Sequence, residues 1–261
     1  MDLPLGWQTD LAVLRLSGST IEERPDHLVV RTPANPLYHW GNFVLVTDAG
    51  AVDDAERWLE LFEKEFPDAA HRSVGLVAEP GDPDRWTALD VVVEHDDVLA
   101  ADTCPERQPV PQGYLVKEIA DAIEWDQSSG LRIAEFAADD PREAEFERKA
   151  TDVRREMVRS GRAAWFGAFH GDRLVAELGI VDCGDGVARY QAVVSGAEHR
   201  RKGLAAHLLG VAARWAADRG AHTWVIVAEE GGDADRLYQS RGFTPRARAA
   251  RAYRKPTAQA G

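Results

Sequence analysis

The chain has 261 residues, 44% of them apolar, with eight Trp and eight Phe, which excludes a disordered or fibrous polymer and calls for one large or two modest domains. Its formal charge of −13 is uneven: residues 1–110 carry −14 and residues 111–261 carry +1. An acidic half of that size repels a polyanion, so nucleic acid is not expected as a partner, whereas a cationic small molecule would be drawn in.

In the first half, His27–Arg31 and Asn42–Val46 read as strands. A helix is expected over 52–66, with Ala55, Trp58, Leu59 and Phe62 on one face, and strands over 74–78 and 91–98. Three prolines at 105, 109 and 111, with Gly113, then interrupt the pattern. Proline fixes φ and disfavours helix before it, so this stretch reads as a linker. It divides the chain into an N-terminal domain (1–105), a linker (106–113), a second domain (114–255) and a flexible tail (256–261).

Beyond the linker, Tyr114–Ile119 reads as a strand and the pattern is mostly helical to about 160. Strands follow at 164–169, 174–181 and 187–194, with turns at His170-Gly171-Asp172 and Cys183–Gly186. A helix runs from about Gly203 to Arg219, with Leu204, Leu208, Val211 and Trp215 at helical spacing and Gly220 as its stop. An apolar strand at 223–228, a short helix near 233–240 and an extended stretch from Phe243 complete the pattern. The order strand, helix, strand, short segment, strand occurs in both halves and suggests a diverged duplication.

The only two cysteines, Cys104 and Cys183, form no CxxC and have no His cluster beside them. No metal and no disulfide framework are expected, and a reducing cytoplasm fits. The start Met1–Leu5 lacks a basic segment followed by an apolar one, and no run of about 18 apolar residues occurs, so neither a signal peptide nor a membrane span is expected.

The most specific passage is Val193-Val-Ser-Gly-Ala-Glu-His-Arg-Arg-Lys-Gly-Leu-Ala-Ala206, which runs from strand through a short loop into a helix. A helix start leaves N–H groups unpaired at the positive end of its dipole. Gly203 and Ala205 let a diphosphate approach those groups, and Arg200, Arg201 and Lys202 add positive charge. A second passage, Ala234-Asp-Arg-Leu-Tyr-Gln-Ser-Arg-Gly-Phe243, follows after one apolar strand.

Together these passages resemble the GNAT superfamily of N-acetyltransferases: Arg-x-x-Gly-x-Ala is similar to its acetyl-CoA pyrophosphate loop, and the second passage to its A-x-x-L-Y-x-x-x-G-F segment. The resemblance covers about 112–255, with its specific motifs within 193–243. It departs at Gly231, where family members often carry Asn.

The resemblance implies an α/β fold of two GNAT-like domains. Each would be a mixed, mostly antiparallel sheet with flanking helices, the second with a splayed parallel strand pair (187–194 and 223–228) and the first a degenerate copy. It further implies acetyl-CoA as co-substrate, held by Val193, Val194, Ser195, Arg200, Arg201, Lys202, Gly203, Leu204, Ala205 and Ala206. The implied activity is direct acetyl transfer to an amine, on a small molecule or peptide, with a backbone N–H around Val194 facing the oxyanion and Tyr238 as general acid. A weakly catalytic acetyl-CoA sensor is the alternative. A dinucleotide-binding loop is disfavoured because no GxGxxG occurs.

Glu177 is the one charged residue in 174–181, and alternation puts it beside Val175, Gly179 and Val181. If that face is covered, desolvation raises its pKa and suits it to act as general base. Glu229 and bound water are the other candidates.

In the first half the corresponding loop, Thr47–Asp54, has no Lys or Arg and carries Asp48, Asp53 and Asp54, so no CoA is expected there. Tyr38, His39 and Trp40 read either as an acceptor pocket or as a plug over the sheet, and the plug is favoured. Cys183 lacks an adjacent base, which argues against an acyl-cysteine route.

Overall fold

A computed structural model describes residues 3–256; of the tail expected at 256–261, only Pro256 falls within them. Residues 3–98, with 228–230 and 246–256, form an N-terminal unit, and 99–227 with 231–245 form a C-terminal unit.

The N-terminal unit opens with α1 (Leu5–Leu16), followed by β1 (Thr20–Glu23), β2 (His27–Arg31), β3 (Phe43–Val46), α2 (Ala55–Glu65), β4 (Arg72–Leu76) and α3 (Asp84–Thr87). β5 (Val92–Ala101) leads out of it. β1–β2 and β2–β3 are antiparallel, and β3–β4 are parallel with Val44, Leu45 and Val46 opposite Val74, Gly75 and Leu76. α2 lays Ala55, Trp58, Leu59 and Phe62 on the sheet, as its apolar spacing predicts. Neither α1 nor β1 is among the expected elements, although Trp7, Leu11 and Leu14 recur at helical spacing and are buried.

The C-terminal unit contains β6 (Leu115–Glu118), α4 (Ala122–Phe136), α5 (Pro141–Arg159), β7 (Ala163–His170), β8 (Arg173–Gly184), β9 (Val187–Ser195), α6 (Leu204–Ala217), β10 (Thr223–Glu229) and α7 (Asp233–Gln239). The helical stretch expected to 160 is two helices. Asp121 and Glu124 form a capping box that starts α4, and the Asp140 cap with Pro141 starts α5. β6–β7–β8–β9 are antiparallel neighbours, and β9 pairs in parallel with β10. Both units thus contain the series strand, helix, parallel strand, short helix in mixed sheets flanked by helices.

The last strand, β11 (Thr244–Arg254), departs from the expected boundary at 255. It lies antiparallel to β4, with Ala250 to Arg254 opposite Leu76 to Arg72, and so adds to the N-terminal sheet. The Pro-rich stretch is also no free linker. A Cβ on Gly210 would come within 2.3 Å of Arg107 Cα, so the glycine lets this segment lie directly on α6, where His207 Nδ1 is 2.6 Å from Gln108 O. Among the described residues no helix is long and apolar enough to cross a membrane.

Candidate active site

The site begins where β9 loses its neighbours. Pairing with β10 covers three residues, Val187 to Arg189 against Thr223 to Val225, while β9 continues to Ser195. On its other side the register to β8 slips: Glu177 faces Val194 but Gly179 faces Gln191, so Ala192 and Val193 together oppose Leu178. This bulge places Ala192 at φ +55°, left-handed and unfavourable by about 1–2 kcal/mol for a residue with a Cβ.

Gly196 N donates to Val175 O at 2.9 Å. Amides two apart on a strand face the same way, so the Val194 amide turns to β8 while those of Val193 and Ser195 turn to the open side. Of the amides expected around Val194, that of Val193 is therefore the one turned to the open side.

A 3₁₀ turn at Ala197–His199 carries the chain to α6. The N-cap of α6 is Gly203 at φ +80°, a conformation that favours glycine, and no side chain caps the helix. The helical ladder starts at His207 N, which donates to Gly203 O, so the preceding amides project from the helix start. Arg200 is ion-paired with Glu135 of α4 and donates from Nε to Ser195 O at 3.1 Å, which ties down the loop.

In front of these amides lies a cavity of about 740 Å³. Of the residues expected at the site, Val193, Val194, Ser195, Arg200, Arg201, Gly203, Leu204, Ala205, Ala206 and Tyr238 line it. Lys202 does not line it and is exposed on the loop. Phe136, His199 and, from α7, Asp233, Ala234, Arg236 and Leu237 complete the wall. Ala234, Arg236 and Leu237 belong to the tyrosine passage and His199 to the loop passage already noted in the sequence, whereas nothing in the sequence points to Phe136 or Asp233.

Tyr238 is 4% exposed, with Phe243 edge-on to it, and burial pushes its hydroxyl up to about 12, so it carries a proton at neutral pH. Gly231, where family members often carry Asn, has φ +68°, and its carbonyl accepts from Arg236. A diphosphate fits this arrangement because the amides are uncapped and a Cβ on Gly203 would meet only Pro111, at 3.9 Å, leaving the approach open.

Glu177 sits on a covered face, the condition set for a raised pKa, but it is not in the cavity wall. It is fully buried near Arg132, Arg154 and Glu147, and neither carboxyl oxygen meets a donor in good geometry; the Ser128 hydroxyl lies beside it. Burial pushes its pKa up, the two arginines and Ser128 oppose the rise, and Glu147 adds to it. A raised folded-state value gives stability that is full below the unfolded value of 4.5 and falls as pH climbs through the folded one. Glu177→Gln lacks that loss, so its urea midpoint relative to wild type is expected to rise as pH climbs above 4.5. Parallel pH dependence of the two proteins counts against this environment. Glu229, the other carboxylate considered, is exposed.

In the N-terminal unit β3 stays paired to its last residue, Val46, and the Trp7 indole covers Gly75, where a Cβ would be 2.5 Å from the ring, while donating to Leu76 O at 3.0 Å. Trp86, fully buried, donates to Val52 O at 3.2 Å just before α2. In the loop itself Asp48 accepts from Gly50 N at 2.8 Å and Asp53 from Asp82 N at 3.0 Å, so carboxylates already occupy amides there.

His39 and Trp40 pack against Tyr253, with His39 Nδ1 2.7 Å from its hydroxyl, and Trp40 also faces Arg251. These contacts are those of a plug. Among the described residues no group of three or more His, Cys, Asp or Glu side chains is placed to hold a metal.

The acetyltransferase (GNAT) family profile matches residues 130–243. Solved structures alike in fold include a GCN5-related N-acetyltransferase from Kribbella flavida (17% identity, TM-score 0.67, 99% of this chain and 98% of that one). Another, from Sphaerobacter thermophilus, is 15% identical with TM-score 0.63, covering 97% and 94%. A tandem GNAT protein from the clavulanic acid biosynthesis pathway is 16% identical with TM-score 0.57, covering 98% of each chain. A comparison with curated proteins finds no match. Residues 130–243 are thus similar to the GNAT acetyltransferase family, and the whole chain has the fold of tandem GNAT proteins.

Proposed function

We propose that the protein is an N-acetyltransferase that moves an acetyl group from acetyl-CoA to an amine, on a small molecule or a peptide, at the C-terminal site alone. The observation that carries this reading is the uncapped N-terminus of α6 opening on the same cavity as Tyr238 and the free edge of β9.

Bound acetyl-CoA would supply a thioester whose carbonyl carbon is open to attack. The amides from Gly203 to Ala206 would hold its diphosphate, with Arg200, Arg201 and Lys202 adding positive potential. The free edge of β9 offers backbone groups to an extended arm as a further strand would. The Val193 amide is placed to donate to the carbonyl oxygen as charge develops there. Tyr238 keeps its proton at neutral pH and can deliver it to the departing sulfur. Since Glu177 lies outside the cavity wall, the amine proton is assigned to water rather than to that carboxylate.

Calorimetric titration with acetyl-CoA, followed by release of free thiol in the presence of a panel of amines, tests the proposal. One molecule is expected to bind per chain, and a second equivalent would overturn the assignment of the N-terminal unit as empty. Binding with no turnover on any amine favours the sensor reading over the enzyme.

A further inference from the structure

The C-terminal unit buries four charged side chains behind the cavity: Arg132 on α4, Glu147 and Arg154 on α5, and Glu177 on β8. Arg132 grips Glu147 bidentately, Nε to Oε2 at 2.7 Å and Nη2 to Oε1 at 3.0 Å, and Arg154 Nη1 shares Oε2 at 3.1 Å. Apolar residues of similar volume often stabilise a fold as well as buried ion pairs do, so such a cluster invites a second explanation.

Arg132 supplies one. Its remaining amino group, Nη1, reaches the carbonyl of Ala192 at 3.3 Å, and its guanidinium lies 5.2 Å from the ring centre of Phe136. Ala192 is the left-handed residue of the β9 bulge, and Phe136 and Val193 are cavity wall. A non-glycine residue stays at positive φ only when its surroundings hold it there. The one side chain bonded to its carbonyl is itself locked by a two-point grip on Glu147.

We propose that Arg132 is a positioning residue: by fixing the Ala192 carbonyl it maintains the β9 bulge and thereby aims the Val193 amide at the acyl carbonyl. This rests on the acetyl-transfer reading above. Without the bond, Ala192 can relax toward extended backbone, the extra residue redistributes along β9, and the next amide rotates. The groups that set the Arg132 orientation are Glu147, through the fork, and Arg154, which shares that carboxylate. Glu177 lies near both arginines.

The test reads the bond directly in the full-length protein. Acetyl-CoA labelled with carbon-13 at the acetyl carbonyl is bound, and its carbonyl stretch is followed by difference infrared spectroscopy. In wild type the stretch is expected to fall on binding, because an amide donor polarises the carbonyl. In Arg132→Lys, which keeps a buried cation, most of that fall is expected to vanish and kcat to drop about 10-fold or more, with Kd for acetyl-CoA within about threefold. Adding Ala192→Gly, which removes the cost of positive φ, is expected to restore part of the shift.

A carbonyl stretch in Arg132→Lys equal to that in wild type overturns the positioning role. If Arg132→Lys does not fold, Glu147→Gln takes its place: the guanidinium remains but loses its fork, and an unmoved stretch overturns the proposal equally. Wild-type protein that binds acetyl-CoA without any carbonyl shift removes the Val193 donor and this role with it, while leaving the α6 cradle intact. Failure of wild type to bind acetyl-CoA sinks the functional reading itself.

Discussion

Gly203→Glu is expected to weaken acetyl-CoA binding by at least about 100-fold, the largest effect of any single substitution at the site. Two contributions add. The residue is held at φ +80°, where any side chain adds strain of about 1–2 kcal/mol. A carboxylate at the helix start would also occupy the amides that receive the diphosphate and repel it by roughly 4 kcal/mol at 4 Å and an effective dielectric of 20. Gly203→Ala separates the two, since it retains the strain without the charge and should lose only about 10-fold. Because nothing in the protein lies closer than Pro111 to a Cβ here, packing contributes little. The same calorimetric titration on both variants decides the matter: affinities matching wild type would mean that phosphates dock elsewhere.

Tyr238→Phe is expected to lower kcat by about 100-fold or more with little change in acetyl-CoA affinity, the usual signature of losing a positioned proton donor. The ring still fills its place against Phe243, so the fold should not suffer. The hydroxyl pKa of about 12 has a second consequence: loss of its proton cannot cause a decline in wild-type rate anywhere near neutral pH. Any limb near pH 7 must come from the acceptor amine or from another group, and the phenylalanine variant should retain it at a lower rate. Equal kcat values in the two proteins would reduce Tyr238 to a packing residue.

The cofactor turn and the tyrosine segment were legible because each is local: a few consecutive residues carry the charge, the missing side chains and the helix start. The neighbours that share a face with Glu177 were legible from alternation, but its burial was not, because both faces of β8 are covered. Nor was its distance from the cavity wall, because that depends on α4 and α5 packing over it with Arg132, Glu147 and Arg154.

The bulge left no sign either. Positive φ usually announces itself as glycine, and here the residue is Ala192, kept in place by a contact 60 positions back in the chain. The pairing of Arg251 with Gly75 spans still more sequence, and nothing in an Ala- and Arg-rich strand encodes its partner. α1 is a different case: its Trp7, Leu11 and Leu14 spacing was present to be read.

The placement of β11 has a consequence for how the two halves can be handled as genes. A cut in the Pro-rich stretch would leave the first fragment with β4 bare along the side that β11 covers, an open edge of the kind that recruits other chains. The second fragment would carry an arm with no sheet to join. Neither fragment is therefore expected to fold as a self-sufficient piece when expressed alone.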